Sequence, residues 1–212
     1  MKQIVIFDMD GTLIDSKKDI TISINYVRKV NHNLEPLSEE FVVKAINTQE
    51  RNLAKLFYNT DTYEIKDRVL FEKHYKEQCI ENPYLYEGVL ELLETLKADG
   101  VNLSVATNAP TLFAKTMLEH LEVASLFDVI IGADEVKASK PNPEMLLRIL
   151  QHYNYDATKD EAWMVGDNSK DMLSAKNAGI KAIFAAWGFS AHGEHSLVVK
   201  EPKEILCLIA TC

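Results

Sequence analysis

Near its start the chain reads Ile4-Val5-Ile6-Phe7-Asp8-Met9-Asp10-Gly11-Thr12, an apolar run that leads directly into two acids. The apolar residues predict a buried strand. Asp8 and Asp10 then stand at the end of that strand, where two carboxylates two residues apart repel each other beside an apolar core. A divalent cation or a shifted pKa is the usual relief. The first hypothesis is therefore a metal-assisted acid pair.

The rest of the sequence predicts a parallel sheet with helices on both faces. From Gly88 onward, helix-like and strand-like segments alternate, which is typical of that architecture. Besides residues 3–7, four short apolar segments are predicted strands, at residues 102–106, 129–132, 162–165 and 182–185. Predicted helices end near Gly100 and at Gly179, because glycine commonly follows the last helical residue.

Residues 17 to about 82 have a different pattern, with many charges and no convincing strand. Apolar residues recur there at helical spacing. They are Ile20, Ile24, Val27, Phe41, Ala45, Leu53, Leu56 and Phe57. We therefore expect an α/β protein with a Rossmann-like catalytic core formed by residues 1–15 and 83–212, and a helical insert over residues 16–82.

The composition limits the kinds of partner. The 212 residues carry 23 Lys and Arg against 32 Asp and Glu, a formal charge of −9, which opposes non-specific binding to nucleic acid or anionic membranes. No apolar run approaches the roughly 20 residues of a membrane helix, and no signal-peptide pattern is present. Cys79, Cys207 and Cys212 suggest neither a disulfide framework nor a thiolate zinc site. We expect a cytoplasmic monomer or weak dimer that acts on a small metabolite.

Polar residues cluster just beyond the carboxyl ends of the predicted strands. Open parallel sheets bind ligands at that edge, so one crevice should collect these side chains. They are Asp8, Asp10, Thr107, Asn108, Lys140, Asp167 and Asp171.

The residue types in this set suit phosphoryl transfer. Asp8 can attack phosphorus and form an acyl phosphate, which divides one difficult hydrolysis into two easier displacements. Asp10 suits general acid work, because it can protonate the leaving alkoxide and later take a proton from the attacking water. Mg²⁺ prefers oxygen ligands and keeps several waters, so Asp8, Asp167 and one backbone carbonyl would suffice as protein ligands.

Three further residues would bind or accommodate the phosphate. Thr107 offers a hydroxyl, and the next backbone N–H groups should begin a helix whose amino end favours an anion. Lys140 supplies a positive charge, and Gly11 lets the backbone turn tightly around the bound group. Taken alone, Thr107 is more often a helix cap and Lys140 a solvated surface lysine. Their occurrence with the acids favours a site.

Other polar residues allow two interpretations each. Lys44, Arg51 and Lys55 could contact a second anionic group on the substrate, although a solvated helix face explains them better. Asp171 could serve the site or simply stabilise the first turn of a helix. His192 and His195 could suggest a metal pair, but without further ligands a surface loop is the better interpretation.

Four motifs, taken in order, resemble the haloacid dehalogenase superfamily of Asp-based phosphatases. They are Asp8-Met9-Asp10-Gly11-Thr12, Val105-Ala106-Thr107-Asn108, Ser139-Lys140-Pro141-Asn142-Pro143-Glu144 and Gly166-Asp167-Asn168-Ser169-Lys170-Asp171. The helical insert between the first two motifs and the segments Gly88-Val89 and Trp187-Gly188-Phe189 are similar to the phosphoglycolate phosphatase-like branch.

The resemblance implies a Rossmann-like core with a mobile, all-helical cap domain. It implies Mg²⁺ held by the side chains of Asp8 and Asp167 and by the backbone carbonyl of Asp10. It also implies that Asp171 supports the site or the lysine. We expect Thr107, Asn108 and Lys140 to bind the phosphate. The expected function is hydrolysis of a small phosphorylated metabolite, with 2-phosphoglycolate as the leading candidate.

Two rival functions remain open. A phosphosugar mutase of the same superfamily would return the phosphoryl group to a sugar, but such mutases tend to carry a His where this chain has Ser16-Lys17-Lys18-Asp19-Ile20. A non-catalytic binding module that kept the fold is disfavoured by the intact set of site residues. A dehalogenase needs no metal and lacks the second acid, so Asp10 argues against it.

Overall fold

The computed structural model describes residues 1–48, 52–190 and 197–209. The chain divides into two compact units, one formed by Met1–Asp15 with Leu85–Cys212 and the other by Ser16–Tyr84. None of the helices in the described ranges is long and apolar enough to cross a membrane.

Short strands and longer helices make up the described ranges. The strands are β1 (Gln3–Phe7), β2 (Ile14–Asp15), β3 (Tyr84–Leu85), β4 (Asn102–Ala106), β5 (Val129–Ile131), β6 (Glu161–Gly166), β7 (Lys181–Ala185) and β8 (Val198–Val199). The helices are α1 (Lys17–His32), α2 (Glu39–Asn47), α3 (Leu53–Tyr58), α4 (Ile65–Gln78), α5 (Val89–Ala98), α6 (Thr111–His120), α7 (Glu144–His152), α8 (Ser169–Ala178) and α9 (Glu204–Ile209).

The first unit is built on a six-stranded parallel sheet in the order β5-β4-β1-β6-β7-β8, while β2 and β3 form a separate two-stranded sheet. β1 lies between β4 and β6 and pairs with both in parallel. The chain moves outward from β1 to β4 and β5, then crosses back to β6 on the other side of β1. The strand order therefore reverses beside β1, which is where open sheets of this kind bind ligands.

The central strand is buried on both faces. Ile4, Val5 and Ile6 have no exposed surface, so the strand is a continuous apolar run rather than an alternating one. Ile4 and Ile6 belong to a core cluster that includes Met145 and Ile149 of α7. The acids that follow β1 are thus held at the edge of a closely packed core.

The predicted fold class is confirmed, because the structure contains a parallel sheet with helices and an inserted helical segment. All five predicted strands are present, and each observed end lies within one residue of its predicted position. β2, β3 and β8 could not be predicted from the sequence, since two residues are too few for a period to be visible. α8 ends at Ala178 and is followed by Gly179 in the left-handed conformation, as predicted.

The second unit contains α1 to α4, packed around its own apolar cluster. The buried members are Ile24, Val27, Val42, Ala45, Phe57 and Tyr58. Phe41 and Leu56 also fit the helical spacing, but they are 40% and 37% exposed. Each lies one residue before a buried position, and successive helical residues point about 100° apart, so these side chains point away from the core.

Candidate active site

Three acids and one lysine meet at the carboxyl edge of the sheet. Asp8 follows β1 and Asp167 follows β6, and these two strands are paired neighbours. Asp171 lies in the first turn of α8, and Lys140 precedes α7. One carboxylate oxygen from each of Asp8, Asp167 and Asp171 lies within 4.8 Å of the other two. The pairing of β1 with β6 thus joins acids from opposite ends of the sequence.

Lys140 is the positive centre of this cluster and is only 3% exposed. Its Nζ lies 2.7 Å from Oδ1 of Asp8, 2.6 Å from Oδ1 of Asp171 and 2.6 Å from the carbonyl oxygen of Ala106. An ammonium group has three hydrogens, so three acceptors match its donors. Burial lowers the pKa of Lys140, but the charges of Asp171 and Asp8 outweigh burial and hold that pKa above its usual value. The lysine is therefore charged at neutral pH.

Asn108 fixes the backbone around Lys140. Its Oδ1 accepts a hydrogen bond of 3.0 Å from the Lys140 N–H, and its Nδ2 donates one of 3.0 Å to the Lys140 carbonyl. The Asn108 side chain thus joins the loop after β4 to the loop before α7. A phosphate contact by Asn108 remains a prediction.

Asp171 connects Lys140 to the start of α8. Its Oδ1 faces Lys140, and its Oδ2 accepts a hydrogen bond of 3.1 Å from the N–H of Asn168 as part of a capping box. Burial and the charge of Asp8 raise the pKa of Asp171 to about 6, against the charge of Lys140, which lowers it. Because both oxygens already have partners, the geometry suits support of the lysine better than direct coordination of a metal.

Asp167 is almost completely buried, with 1% of its surface exposed. Burial, together with repulsion from Asp8 and Asp171, holds the pKa of Asp167 well above its usual value. The N–H groups of Phe189 and Ser190 oppose this rise by donating to Oδ2, at 2.7 and 3.2 Å. A divalent cation would favour the ionised carboxylate in such a place.

Gly11 is the point at which the loop after β1 turns. Its φ of +85° lies in the left-handed region that favours glycine. Its N–H donates to the carbonyl of Ile14 at 2.9 Å, which closes the turn. A Cβ at this position would lie 2.5 Å from Oδ2 of Asp167. Glycine is therefore required both by the backbone conformation and by the closeness of the acid.

The helix expected directly after Thr107 begins later than predicted. Thr107 is buried, and its Oγ1 accepts a hydrogen bond of 3.1 Å from the N–H of Ala109 instead of capping a helix. α6 begins at Thr111, because Pro110 disfavours helical conformation at the residue before it. The first helical N–H, of Thr111, donates to Oδ1 of Asp134 at 2.7 Å. This N–H is therefore already used within the chain, and a phosphate contact by the other N–H groups near the start of α6 remains a prediction.

Asp10 occupies the same loop as Asp8 but is only half-buried. Its backbone forms an isolated bridge with Ile14. A carboxyl group that is partly open to solvent can exchange protons with water. Its general acid role remains a prediction.

The remaining predicted residues lie elsewhere in the chain. Lys44 and Lys55 are exposed residues of α2 and α3 in the helical unit, and Nζ of Lys55 lies 3.6 Å from Oδ1 of Asp61. Arg51, His192 and His195 lie outside the described residues. A substrate contact by Lys44, Arg51 or Lys55 remains a prediction.

A family model described as haloacid dehalogenase-like hydrolase matches residues 5–185 of the chain. This range begins in β1, ends with β7 and includes all four motifs. The chain belongs to the haloacid dehalogenase-like hydrolases. Membership confirms the predicted superfamily and the predicted class of enzyme.

Proteins named as phosphatases align with most of the chain. The N-acetylmuramic acid 6-phosphate phosphatase of Pseudomonas aeruginosa is 30% identical over 211 residues, which are 95% of this chain and 92% of that protein. The phosphoglycolate phosphatase of Aquifex aeolicus is 33% identical over 187 residues, 88% of this chain and 86% of its own. A crystal structure described as a predicted phosphoglycolate phosphatase from Haemophilus somnus superposes with a TM-score of 0.84, 25% identity and coverage of 98% and 97%. These likenesses confirm the similarity to the phosphoglycolate phosphatase-like branch.

The donor set of this haloacid dehalogenase-like hydrolase fits Mg²⁺. Carboxylate oxygens are the hard ligands that this ion prefers. The three acids carry three formal negative charges and Lys140 carries one positive charge. The net charge of −2 is the charge that a divalent cation would balance. Both oxygens of Asp171 have close partners, Lys140 at 2.6 Å and the N–H of Asn168 at 3.1 Å. Among the described residues, Oδ1 of Asp167 has only the Thr12 hydroxyl as a hydrogen-bond partner, at 3.4 Å, so Asp8 and Asp167 are the better ligands.

The groups that hold Asp167 were not predicted from the sequence. They are the backbone N–H groups of Phe189 and Ser190 and the hydroxyl of Thr12, whose Oγ1 lies 3.4 Å from Oδ1 of Asp167. Backbone donors have no side-chain signature, so the only available signal was the resemblance carried by Trp187-Gly188-Phe189.

Proposed function

We propose that this haloacid dehalogenase-like hydrolase is a Mg²⁺-dependent phosphatase that hydrolyses a small phosphorylated metabolite through an aspartyl-phosphate on Asp8. One observation carries the proposal: the Asp8 carboxylate, at the end of the central strand, lies 2.7 Å from the buried Lys140 and beside Asp167. Relatives named as phosphatases along nearly the whole chain support it.

In the first displacement, Asp8 is the nucleophile. Lys140 holds Oδ1 of Asp8, so the second carboxylate oxygen is available to bond to phosphorus while the bond from phosphorus to the ester oxygen breaks. Asp10 gives a proton to the departing alkoxide, which leaves as an alcohol. The charge on Lys140 offsets part of the negative charge that the phosphoryl group brings into the cluster.

In the second displacement, water attacks the phosphorus of the aspartyl-phosphate. Asp10, now ionised, takes a proton from this water, and the bond between phosphorus and the Asp8 oxygen breaks. Inorganic phosphate leaves, and both acids return to their starting states. Thr107 and the backbone near Asn108 are the proposed contacts for the phosphate oxygens.

The side chains of Asp8 and Asp167 and the backbone carbonyl of Asp10 are the groups that would hold Mg²⁺. When bound, the ion would screen the phosphate from the acids and stabilise charge on the transferring group. Asp171 acts as a positioning residue, because it contacts Lys140 at 2.6 Å.

The proposed substrate carries a carboxylate besides its phosphate, with 2-phosphoglycolate as the first candidate. Two relatives are named for phosphoglycolate and for N-acetylmuramic acid 6-phosphate, and both compounds contain a carboxylate. We propose that residues 16–82 act as a cap domain in which Lys44, Arg51 and Lys55 recognise that second anion. The proposal includes a cytoplasmic location, where a reducing compartment would maintain the free thiols of Cys79 and Cys207.

A panel of phosphomonoesters tests this function. Phosphate release would be measured from 2-phosphoglycolate, N-acetylmuramic acid 6-phosphate, several sugar phosphates, nucleoside monophosphates and p-nitrophenyl phosphate, with Mg²⁺ and with a chelator. We expect hydrolysis that requires Mg²⁺ and is fastest with a carboxylate-bearing ester. Movement of the phosphoryl group between positions of a phosphosugar would instead support a mutase. Neither release nor transfer with any ester would support the non-catalytic binding module.

A further inference from the structure

The segment Trp187–Ser190, which we call the post-β7 segment, contacts Asp167 through its backbone. The N–H groups of Phe189 and Ser190 both donate to Oδ2 of Asp167, at 2.7 and 3.2 Å. Two donors on one oxygen fix the rotation of a carboxylate. Oδ1 is the less engaged oxygen, with only the Thr12 hydroxyl at 3.4 Å as a hydrogen-bond partner in the part of the chain that the structure describes, and it is the one that can face a cation.

The same segment also holds the loop after β1. Nε1 of Trp187 donates a hydrogen bond of 2.9 Å to the carbonyl oxygen of Thr12. Thr12 is completely buried, and its hydroxyl lies 3.4 Å from Oδ1 of Asp167. Trp187 therefore fixes the end of the loop that begins with Asp8 and includes Asp10.

Gly188 allows the segment to approach this closely. A Cβ added at Gly188 would overlap the carbonyl oxygen of Gly11 and would lie 2.7 Å from Oδ2 of Asp167. Backbone packed this tightly against both groups leaves neither of them room to shift. The contacts of Trp187, Gly188, Phe189 and Ser190 thus converge on one acid and one loop.

We propose that the post-β7 segment is a positioning element for the metal site. It orients Asp167 so that Oδ1 faces the cation, and it holds the loop that carries the carbonyl of Asp10 at a fixed distance from that acid. This inference rests on the proposed function, because it assigns the segment a role toward Mg²⁺. A change in the segment should therefore alter metal affinity before it alters the chemical step.

The test compares two tryptophan variants. Trp187→Phe keeps the aromatic ring but removes the N–H that bonds to Thr12. Trp163→Phe is the matched control, because Nε1 of Trp163 is buried and has no hydrogen-bond partner among the described residues. Isothermal titration with MgCl₂ in the absence of substrate gives the dissociation constant, and thermal unfolding in a chelator gives the stability.

For Trp187→Phe we expect the Mg²⁺ dissociation constant to rise about fivefold, the change that loss of one neutral hydrogen bond produces. For Trp163→Phe we expect a change of less than about twofold, since no hydrogen bond is lost. Saturating Mg²⁺ should restore most of the turnover of Trp187→Phe, because the reacting groups themselves are intact. If Trp187→Phe only destabilised the fold, its unfolding temperature would fall but its Mg²⁺ dissociation constant would not change.

Gly188→Ala is the stronger variant, with an expected rise in the Mg²⁺ dissociation constant of more than about tenfold, because the added methyl group must displace the segment or Asp167. If Gly188→Ala does not fold, Trp187→Phe alone decides. Unchanged Mg²⁺ affinity in Trp187→Phe would overturn the positioning role and leave the proposed function intact. Failure of the wild-type protein to bind Mg²⁺ would overturn both proposals.

Discussion

Asp8 differs from the other acids of the cluster because the proposed mechanism needs it as a nucleophile and not only as a charge. Asp8→Asn keeps the size of the side chain, and its amide oxygen can still accept the hydrogen bond from Lys140. An amide does not attack phosphorus, so we expect the turnover number to fall at least about 1,000-fold. The unfolding temperature should stay close to that of the wild type, because relief of repulsion from Asp167 and Asp171 offsets the lost ion pair with Lys140.

The Asp8→Asn variant would be assayed for phosphate release with Mg²⁺ and followed by circular dichroism during heating. Asp99→Asn makes the same chemical change at an exposed acid of the same unit and should leave both readings unchanged. Substantial Mg²⁺-dependent activity in Asp8→Asn would show that another group is the nucleophile.

The sequence predicted which residues gather in the cluster, but not how their atoms pair. Asp8 and Asp167 could be placed together because each follows an apolar run, and such runs become strands that end at the same edge. The three acceptors around Lys140 could not be predicted, since one of them is the backbone carbonyl of Ala106. The hydrogen bonds from Asn108 could not be predicted for the same reason, since they join its side chain to the backbone of Lys140.

Among the elements near the site, α6 begins with a cap supplied from elsewhere in the chain. Asp134, in the 3₁₀ turn Ala133–Glu135, accepts hydrogen bonds from the N–H and the hydroxyl of Thr111, at 2.7 and 2.8 Å. Local sequence gave no sign of it, because the partner lies 23 positions away. Capping from this distance anchors α6 to the end of β5 and so helps fix the loop that carries Thr107.

This cap gives stability a dependence on pH. Burial raises the pKa of Asp134, but the hydrogen bonds from Thr111 outweigh burial and hold that pKa below its usual value. The stabilisation is therefore fully present above the unfolded-state pKa, near 4, and is lost as the pH falls through the lower folded-state value. We expect Asp134→Asn to cost about 0.5–1 kcal/mol at pH 7, the usual range for an exposed charge at a helix start, and much less at pH 3.

Urea unfolding of the wild type and Asp134→Asn at pH 7, 5, 4 and 3 gives the difference directly. Asp99→Asn, an exposed acid next to the end of α5, serves as the control for a general change in charge. A difference between wild type and Asp134→Asn that stays constant over this pH range would mean that the carboxylate charge does not stabilise α6.

For the molecule as a whole, the formal charge of −9 opposes the approach of any phosphorylated substrate. Lys140 supplies positive charge in the described active-site cluster, but its ammonium group already forms ion pairs with Asp8 and Asp171. A substrate with a second anionic group needs further cations. The helical unit is the source that we propose, since Lys44 and Lys55 are both exposed there.

The double variant Lys44→Ala/Lys55→Ala tests whether the helical unit recognises the carboxylate. We expect KM for the preferred carboxylate-bearing ester to rise about thirtyfold, since two charge-assisted contacts of about 1 kcal/mol each are lost, while kcat changes little. p-Nitrophenyl phosphate has no carboxylate, so its KM should not change. Lys66→Ala/Lys73→Ala removes the same charge from α4 of the same unit and is the control for the long-range field. Equal KM changes in the two double variants would show that Lys44 and Lys55 act through net charge alone and do not select the substrate.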